Sequence, residues 1–264
     1  MYVTSQLTAE GFAPPGPASF ELPSFFSIGS VGVTKHMFLL ILAGIVVVAL
    51  TYAMSRRAAV VPGRLQFAGE YVYNFARNSI ARDSIGAEHY MKFVPYLFAL
   101  FMFVLVNNAF GILPVLQFAP TSRISYVYGL TAITWIVYNA VGIHRHGFVS
   151  YAKHMTVPAG VGGPVLLLMI PLEFVSNILV RPVTLSLRLF ANMFAGHMLL
   201  ILFSTGAVYL AFESDKLSYA PVGVLALIMG ILVSFLEMII IFLQAWVFAL
   251  LTALYIGGAV ADEQ

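Results

Sequence analysis

Long uncharged runs alternate with short basic clusters along this chain, and the runs have the length of membrane helices. Met37–Met54 carries no charge and stops at Arg56 and Arg57; about 18 apolar residues suffice to cross a hydrocarbon core of ~30 Å. The pattern predicts a first span over 35–55. Between Val61 and Asp83 the spacing changes. Gln66, Glu70, Asn74 and Arg77 fall on one side of a helix and Leu65, Ala68, Val72 and Phe75 on the other. That periodicity predicts an amphipathic helix over 61–83, lying either on the membrane surface or beneath a partner subunit. Tyr90–Leu113 and Ile124–Ile143 read as two more spans, a helical hairpin over 90–143 joined at Pro114–Arg123, and Ile143–Thr156 follows as a polar segment.

The C-terminal part exceeds ordinary span length. Gly160–Leu210 is charged only at Glu173, Arg181 and Arg188; a turn at Phe212–Tyr219 holds Glu213, Asp215 and Lys216; Ala220–Ala261 then has Glu237 as its sole charge. As helices these runs would measure about 75 and 60 Å at 1.5 Å per residue, roughly twice the hydrocarbon thickness. Helices that long must incline, so the pattern predicts a steeply tilted hairpin over 160–261, its first arm kinked at Pro171 and Pro182. The expected fold is all-α: one polytopic membrane domain over 1–264, with about five crossings and an amphipathic surface helix. Orientation follows from the basic residues, which collect on the cytoplasmic side. Six Lys or Arg lie from Arg56 to Lys92 and two more around Arg145, whereas none precedes Lys35 and the other two turns hold one each. The N-terminal segment 1–34 is therefore expected outside the cytoplasm and the C-terminus within it.

Composition sharpens this picture by exclusion. Of the 264 residues, 61% are hydrophobic and 9% charged, against about 25% charged in a soluble domain. A net charge of +2 does not steer a chain to nucleic acid. The absence of cysteine removes thiol chemistry and thiolate metal sites. His144, His146 and His154 sit among basic residues without a carboxylate, so no metal is expected there, and no cofactor elsewhere. No glycine-rich phosphate loop of the nucleotide type occurs, which places any nucleotide chemistry on partners. The start of the chain lacks the basic residues of a leader or transit peptide.

The charges inside the last hairpin carry the chemistry, because each costs at least ~2.5–3.5 kcal/mol at mid-membrane and needs a partner or a purpose. Folding the hairpin about residue 215 brings His197 near Glu237 and Arg188 near Gln244. Thr184, Arg188 and Asn192 form one polar stripe at i, i+4 and i+8, and Glu237 and Gln244 share a face. Arg188 and His197, nine residues apart, face opposite ways. A permanent cation on one face and two titratable groups on the other suit proton movement. A bland arrangement is also open: Arg188 and Glu237 as a buried ion pair and His197 as a core histidine. Arg181, beside Pro182, is expected to snorkel to headgroups.

At Arg181–His197 the chain reads RPVTLSLRLFANMFAGH, and this resembles subunit a of F-type rotary ATP synthases. LQAWVFALLTALYI at Leu243–Ile256, NNAFGILP at Asn107–Pro114 and VPGRLQ at Val61–Gln66 resemble signatures of the same family, in the same order. The resemblance implies a non-catalytic membrane subunit whose tilted hairpin lies against a ring of c subunits. Its partners would be that ring, the peripheral-stalk b subunits, the rest of the F-type complex and the lipid bilayer. Arg188 matches the family's essential arginine, which holds a deprotonated ring carboxylate and separates two offset proton half-channels. Asn192 and Gln244 match polar positions beside it, and Glu173 matches an acid of the cytoplasmic exit path with a one-residue difference in spacing. His197 and Glu237 match the coupled pair of the inlet half-channel, with acid and histidine exchanged relative to some members. The implied location is a bacterial plasma membrane, the alternative being the mitochondrial inner membrane. A different class, a stand-alone ion-coupled secondary transporter, would show internal repeats and paired broken helices; no convincing repeat is present.

Overall fold

The uncharged runs do become helices, and the interruptions between them decide where those helices end. The computed structural model describes residues 7–8, 11–12, 16, 26–28, 31–56, 59, 61–113, 116, 118–156, 165–213 and 219–261. Most of the 1–34 segment, Arg57, Pro114 and the 214–218 part of the last turn, with Asp215 and Lys216, lie outside the described residues, as do the side chains of His154 and Glu213. The helical reading of the chain has one local exception. Near the N-terminus, β1 (Leu7–Thr8) pairs antiparallel with β2 (Gly11–Phe12), and β3 (Phe26–Ile28) with β4 (Val31–Val33) in the register Phe26↔Val33.

Helix α1 spans Lys35–Ser55 and buries one stripe, Leu39, Ala43 and Val47, at i+4 spacing, while Ile41, Ile45 and Val48 stay exposed. Outward apolar side chains cost nothing in lipid, where tails are as apolar as leucine. The surface helix is α2 (Arg64–Phe75), continued by a π-helical stretch (Ala76–Arg82) and α3 (Asp83–Ile85). Its buried face differs from the expected one: Gly69, Ala76 and Ile80 are buried, whereas Leu65 and Ala68 are exposed. A π-turn inserts an extra residue and rotates the face that follows. Tyr73 and Phe75 then set their rings 5.7 Å from Phe98 and Phe101, so this helix packs on its own chain.

Those phenylalanines belong to α4 (Val94–Ala109), preceded by a 3-10 turn at Tyr90–Lys92. Pro95 sits in its first turn, where a missing N–H removes no helical bond. The span expected to reach Leu113 stops at Ala109, because Gly111 and Ile112 bond three residues back to Asn108 and Ala109 and tighten the chain out of the α-helix. A 3-10 turn at Pro120–Ser122 leads into α5 (Ile124–His146), which buries Val127, Thr131, Thr134, Tyr138 and Gly142. The polar segment that follows is helical too. Gly147, at φ +77°, ends α5 in the left-handed conformation that glycine adopts without strain. Helix α6 (Phe148–Thr156) folds back so that the Tyr151 hydroxyl donates to Asn139 Oδ1 at 3.1 Å. Burial pushes the Tyr151 phenol up, against the pull of the Arg181 charge, so it stays protonated as the donor.

The first long arm runs from α7 (Val165–Val175) through a π-helical stretch (Ser176–Val180) into α8 (Arg181–Val208), and ends in another π-stretch (Tyr209–Glu213). The distortion between Pro171 and Pro182 has a cause: Pro182 has no N–H for the carbonyl of Ile178, and the wider π-turn accommodates its ring. The second arm is α9 (Ala220–Val260). The apolar stretch Val165–Ala211 is 47 residues and α9 is 41, about 70 and 60 Å. By length and composition α1, α5 and these two arms can each cross a membrane, and α4 adds a shorter apolar helix of 16 residues. Packing divides the chain into two units. One comprises Met1–Ala43, Leu105–Arg123 and Phe190–Leu243; the other comprises Gly44–Val104, Ile124–Leu189 and Gln244–Gln264.

Candidate functional site

Within the first unit the two arms run antiparallel in a register that can be read from close approaches. His197 meets Glu237, Gly196 meets Glu237, Phe203 meets Gly230 and Ala211 meets Gly223, pairs whose numbers add to 433 or 434. The sequence-based fold about residue 215 lands within a few residues of this. His197 Nδ1 lies 2.7 Å from Glu237 Oε1, and the side chains are 4% and 1% exposed. Their other polar atoms, Nε2 and Oε2, have no hydrogen-bond partner among the described residues. The pair therefore keeps capacity to accept or donate a proton on its outer side.

Two glycines make room for it. A Cβ on Gly111 would overlap Cε1 and Nε2 of the His197 ring, and one on Gly196 would approach Glu237 Oε1 to 3.0 Å. Gly111 lies in the tightened turn after α4, so the early end of that span creates the notch into which the imidazole fits. Polar groups gather in the same unit. Asn107, Asn108, Thr121 and Ser122 are buried, and Thr121 Oγ1 donates to Asn108 Oδ1 at 2.7 Å.

Arg188 stands on the other side of α8. Thr184, Arg188 and Asn192 are all exposed, while Leu185, Leu189, Met193 and His197 are buried. Nine residues turn a helix by about 180°, and the burial follows that geometry. Among the described residues no carboxylate lies within ion-pair distance of Arg188, and the acid on α9 is bound by histidine. The alternative ion pair between Arg188 and Glu237 is therefore not the arrangement formed. Gln244 is buried at 2% exposure, on the α9 stripe that also buries Glu237, Ile241 and Phe248.

The second unit holds the remaining charges of the arm. Arg181 does not run free to the surface: its guanidinium lies 5.3 Å above the Tyr255 ring, a cation–π contact. Tyr255 in turn meets Tyr138 with ring centroids 5.6 Å apart. Glu173 Oε2 accepts from Asn177 Nδ2 at 3.1 Å, and the same amide donates to the Met155 carbonyl at 2.6 Å, which ties this acid to the end of α6.

The whole chain was then compared with known proteins. The family described as ATP synthase A chain matches residues 37–257. This chain belongs to that family. Among its relatives, the ATP synthase subunit a of Nocardioides sp. is 57% identical, covering 96% of this chain and 95% of its own. That of Pseudarthrobacter chlorophenolicus is 42% identical over 94% and 93%, and that of Streptomyces lividans 41% over 96% and 89%. Bacterial family members and the apolar helices together make the chain a multi-pass protein of the bacterial plasma membrane.

Of the residues singled out in the sequence, His197 and Glu237 come together and Thr184, Arg188 and Asn192 share one exposed face. Glu173 stands with Asn177, which sequence reasoning missed. It also missed Gly111, Thr121 and Tyr255. Gly196 adjoins His197, and the Asn107–Asn108 doublet inside an apolar run was a visible signal; Gly111 and Tyr255 had none.

Proposed function

We propose that this chain is the non-catalytic, proton-conducting subunit of an F-type ATP synthase, working against a ring of c subunits and held by the peripheral-stalk b subunits. One observation carries the reading. An apolar helix of membrane length presents an exposed stripe of Thr184, Arg188 and Asn192, with a buried His197–Glu237 pair on its opposite side. A guanidinium left to face lipid would be costly, so the stripe faces a partner that brings an anion. A carboxylate on a passing ring subunit is neutral in lipid and becomes an anion at low cost only beside a fixed cation. Arg188 is that cation. Being permanently charged, it holds the ring carboxylate deprotonated and bars direct proton transfer between two offset half-channels.

His197 and Glu237 relay protons through the inlet half-channel, with Asn192 and Gln244 as polar neighbours of the arginine and Glu173 on the cytoplasmic outlet. Protons then ride the ring from one half-channel to the other and drive its rotation. The absence of native cysteine gives a clean test. A cysteine at Ala191, on the exposed face, is expected to form a disulfide on mild oxidation with one placed beside the ring carboxylate. One at Met193, on the buried face, is expected to remain unlinked. A chain that purifies alone, or that links only through position 193, refutes the assignment.

The notch makes its own prediction. Gly111→Ala pushes on the His197 ring, and overpacking costs about 1–3 kcal/mol. With this chain retained in the complex, passive proton flux through vesicles stripped of the ATPase head is expected to fall about tenfold. An unchanged flux removes His197 from the path.

A further inference from the structure

The largest groove in the second unit has no place in the proton path, and we infer that it binds the headgroup of an anionic phospholipid. Its volume is about 620 Å³, and its walls include His89, Lys92, His144 and Arg145 together with Phe93, Ala140 and Val260. Four cationic or N–H-donating side chains line it and no acid does; Glu88 is a sequence neighbour of the groove but does not line it. Lys92 and Arg145 carry fixed charge, and the imidazoles of His89 and His144 can donate hydrogen bonds to phosphate oxygens.

The depth of the groove in the membrane favours a lipid. Lys92 immediately precedes α4, His144 and Arg145 occupy the last turn of α5, and Val260 ends α9. Three helix ends therefore converge on one level, where an apolar interior gives way to headgroups. This is also the side on which the basic residues of the chain collect. Basic pockets between membrane helices on that side suit anionic lipid headgroups.

An apolar track leads away from the cations. Ile143, Ala140, Ile136 and Ile133 recur at helical spacing along α5 and are all exposed. A phosphate at Lys92 and Arg145 with an acyl chain laid along that stripe satisfies both ends of a phospholipid, whereas a soluble anion would use only the first. An acidic peptide of a partner subunit matches the charges but not the track. This inference stands apart from the proton path, and its test can fail while that reading survives.

The test places a photo-crosslinking p-benzoylphenylalanine at Ala140 in the full chain, within the assembled and delipidated complex. The complex is returned to vesicles holding one tenth dioleoylphosphatidylglycerol in dioleoylphosphatidylcholine, or phosphatidylcholine alone. The expected result is a phosphatidylglycerol adduct on this chain, enriched at least tenfold over its share of the lipid. Each interfacial cation contributes about fivefold to affinity for an anionic surface. Lys92→Gln with Arg145→Gln is therefore expected to return the adduct to the phosphatidylcholine level. ATP-driven pumping by the variant reports that it has assembled. Should the double variant not assemble, Lys92→Gln alone, at an exposed position, is expected to lower the adduct about fivefold. Equal labelling by both lipids, a crosslink to another subunit or to residues 261–264 of the same chain, or loss of the adduct to millimolar inorganic phosphate would each overturn the inference.

Discussion

Arg188→Ala is expected to abolish ATP-driven proton pumping and leave a passive proton leak through the membrane sector. The reason lies in what the exposed guanidinium does for a passing carboxylate. Without a fixed cation, a carboxylate at mid-membrane regains its proton, and the differential is worth at least ~3 kcal/mol on insertion scales, roughly a hundredfold or more in deprotonated population. The ring then has no anionic station at this helix, and nothing keeps the two half-channels apart. Inverted vesicles with a pH-sensitive dye measure the loss of pumping; an imposed potassium diffusion potential, with the head removed, measures the leak. Arg188→Lys is expected to rescue only in part, because lysine gives up its proton when desolvated and lacks the planar fork of donors. Normal coupled pumping by Arg188→Ala would refute the role given to the residue.

Glu237→Gln is expected to slow proton uptake at least tenfold while the subunit stays in the complex. Glutamine keeps the shape and the acceptor oxygen that face His197 but cannot take up a proton, so the relay loses one of its two stations. His197→Gln should have a similar effect. The double variant should be little worse than either single one, since residues acting as one unit are not additive. Passive flux at several pH values, together with the amount of this chain in the purified complex, separates transport from architecture. If Glu237→Gln removes the chain from the complex, the pair is a structural fastener. Breaking a buried pair leaves an uncompensated group at a cost of about 3–5 kcal/mol.

Much of this site could be read before any fold was known, and the reason is the poverty of the alphabet. In an apolar chain each charge is expensive, so Arg188 and Glu237 stand out as single letters. Helical geometry then puts Arg188 and His197 on opposite faces without knowledge of any neighbour. The register of the hairpin came close because two long helices joined by a short turn have few ways to pair. The buried face of α2 was misread for an equally physical reason. A π-turn shifts the phase of everything after it, and nothing in residues 76–82 announces one.

The sequence by itself determined the membrane residence, the spans, the long hairpin and the two opposed faces of α8. Lipid leaves the backbone no alternative to helix, and the periodicity of a helix is local. Only the tertiary structure decided that Glu237 pairs with His197, that Gly111 opens the notch for the imidazole, that Arg181 lies on Tyr255, and that His89, Lys92, His144 and Arg145 share one groove. Each of these joins residues far apart in the chain. They depend on how closely two backbones approach, a distance set by the packing of all the side chains between them rather than by any local pattern.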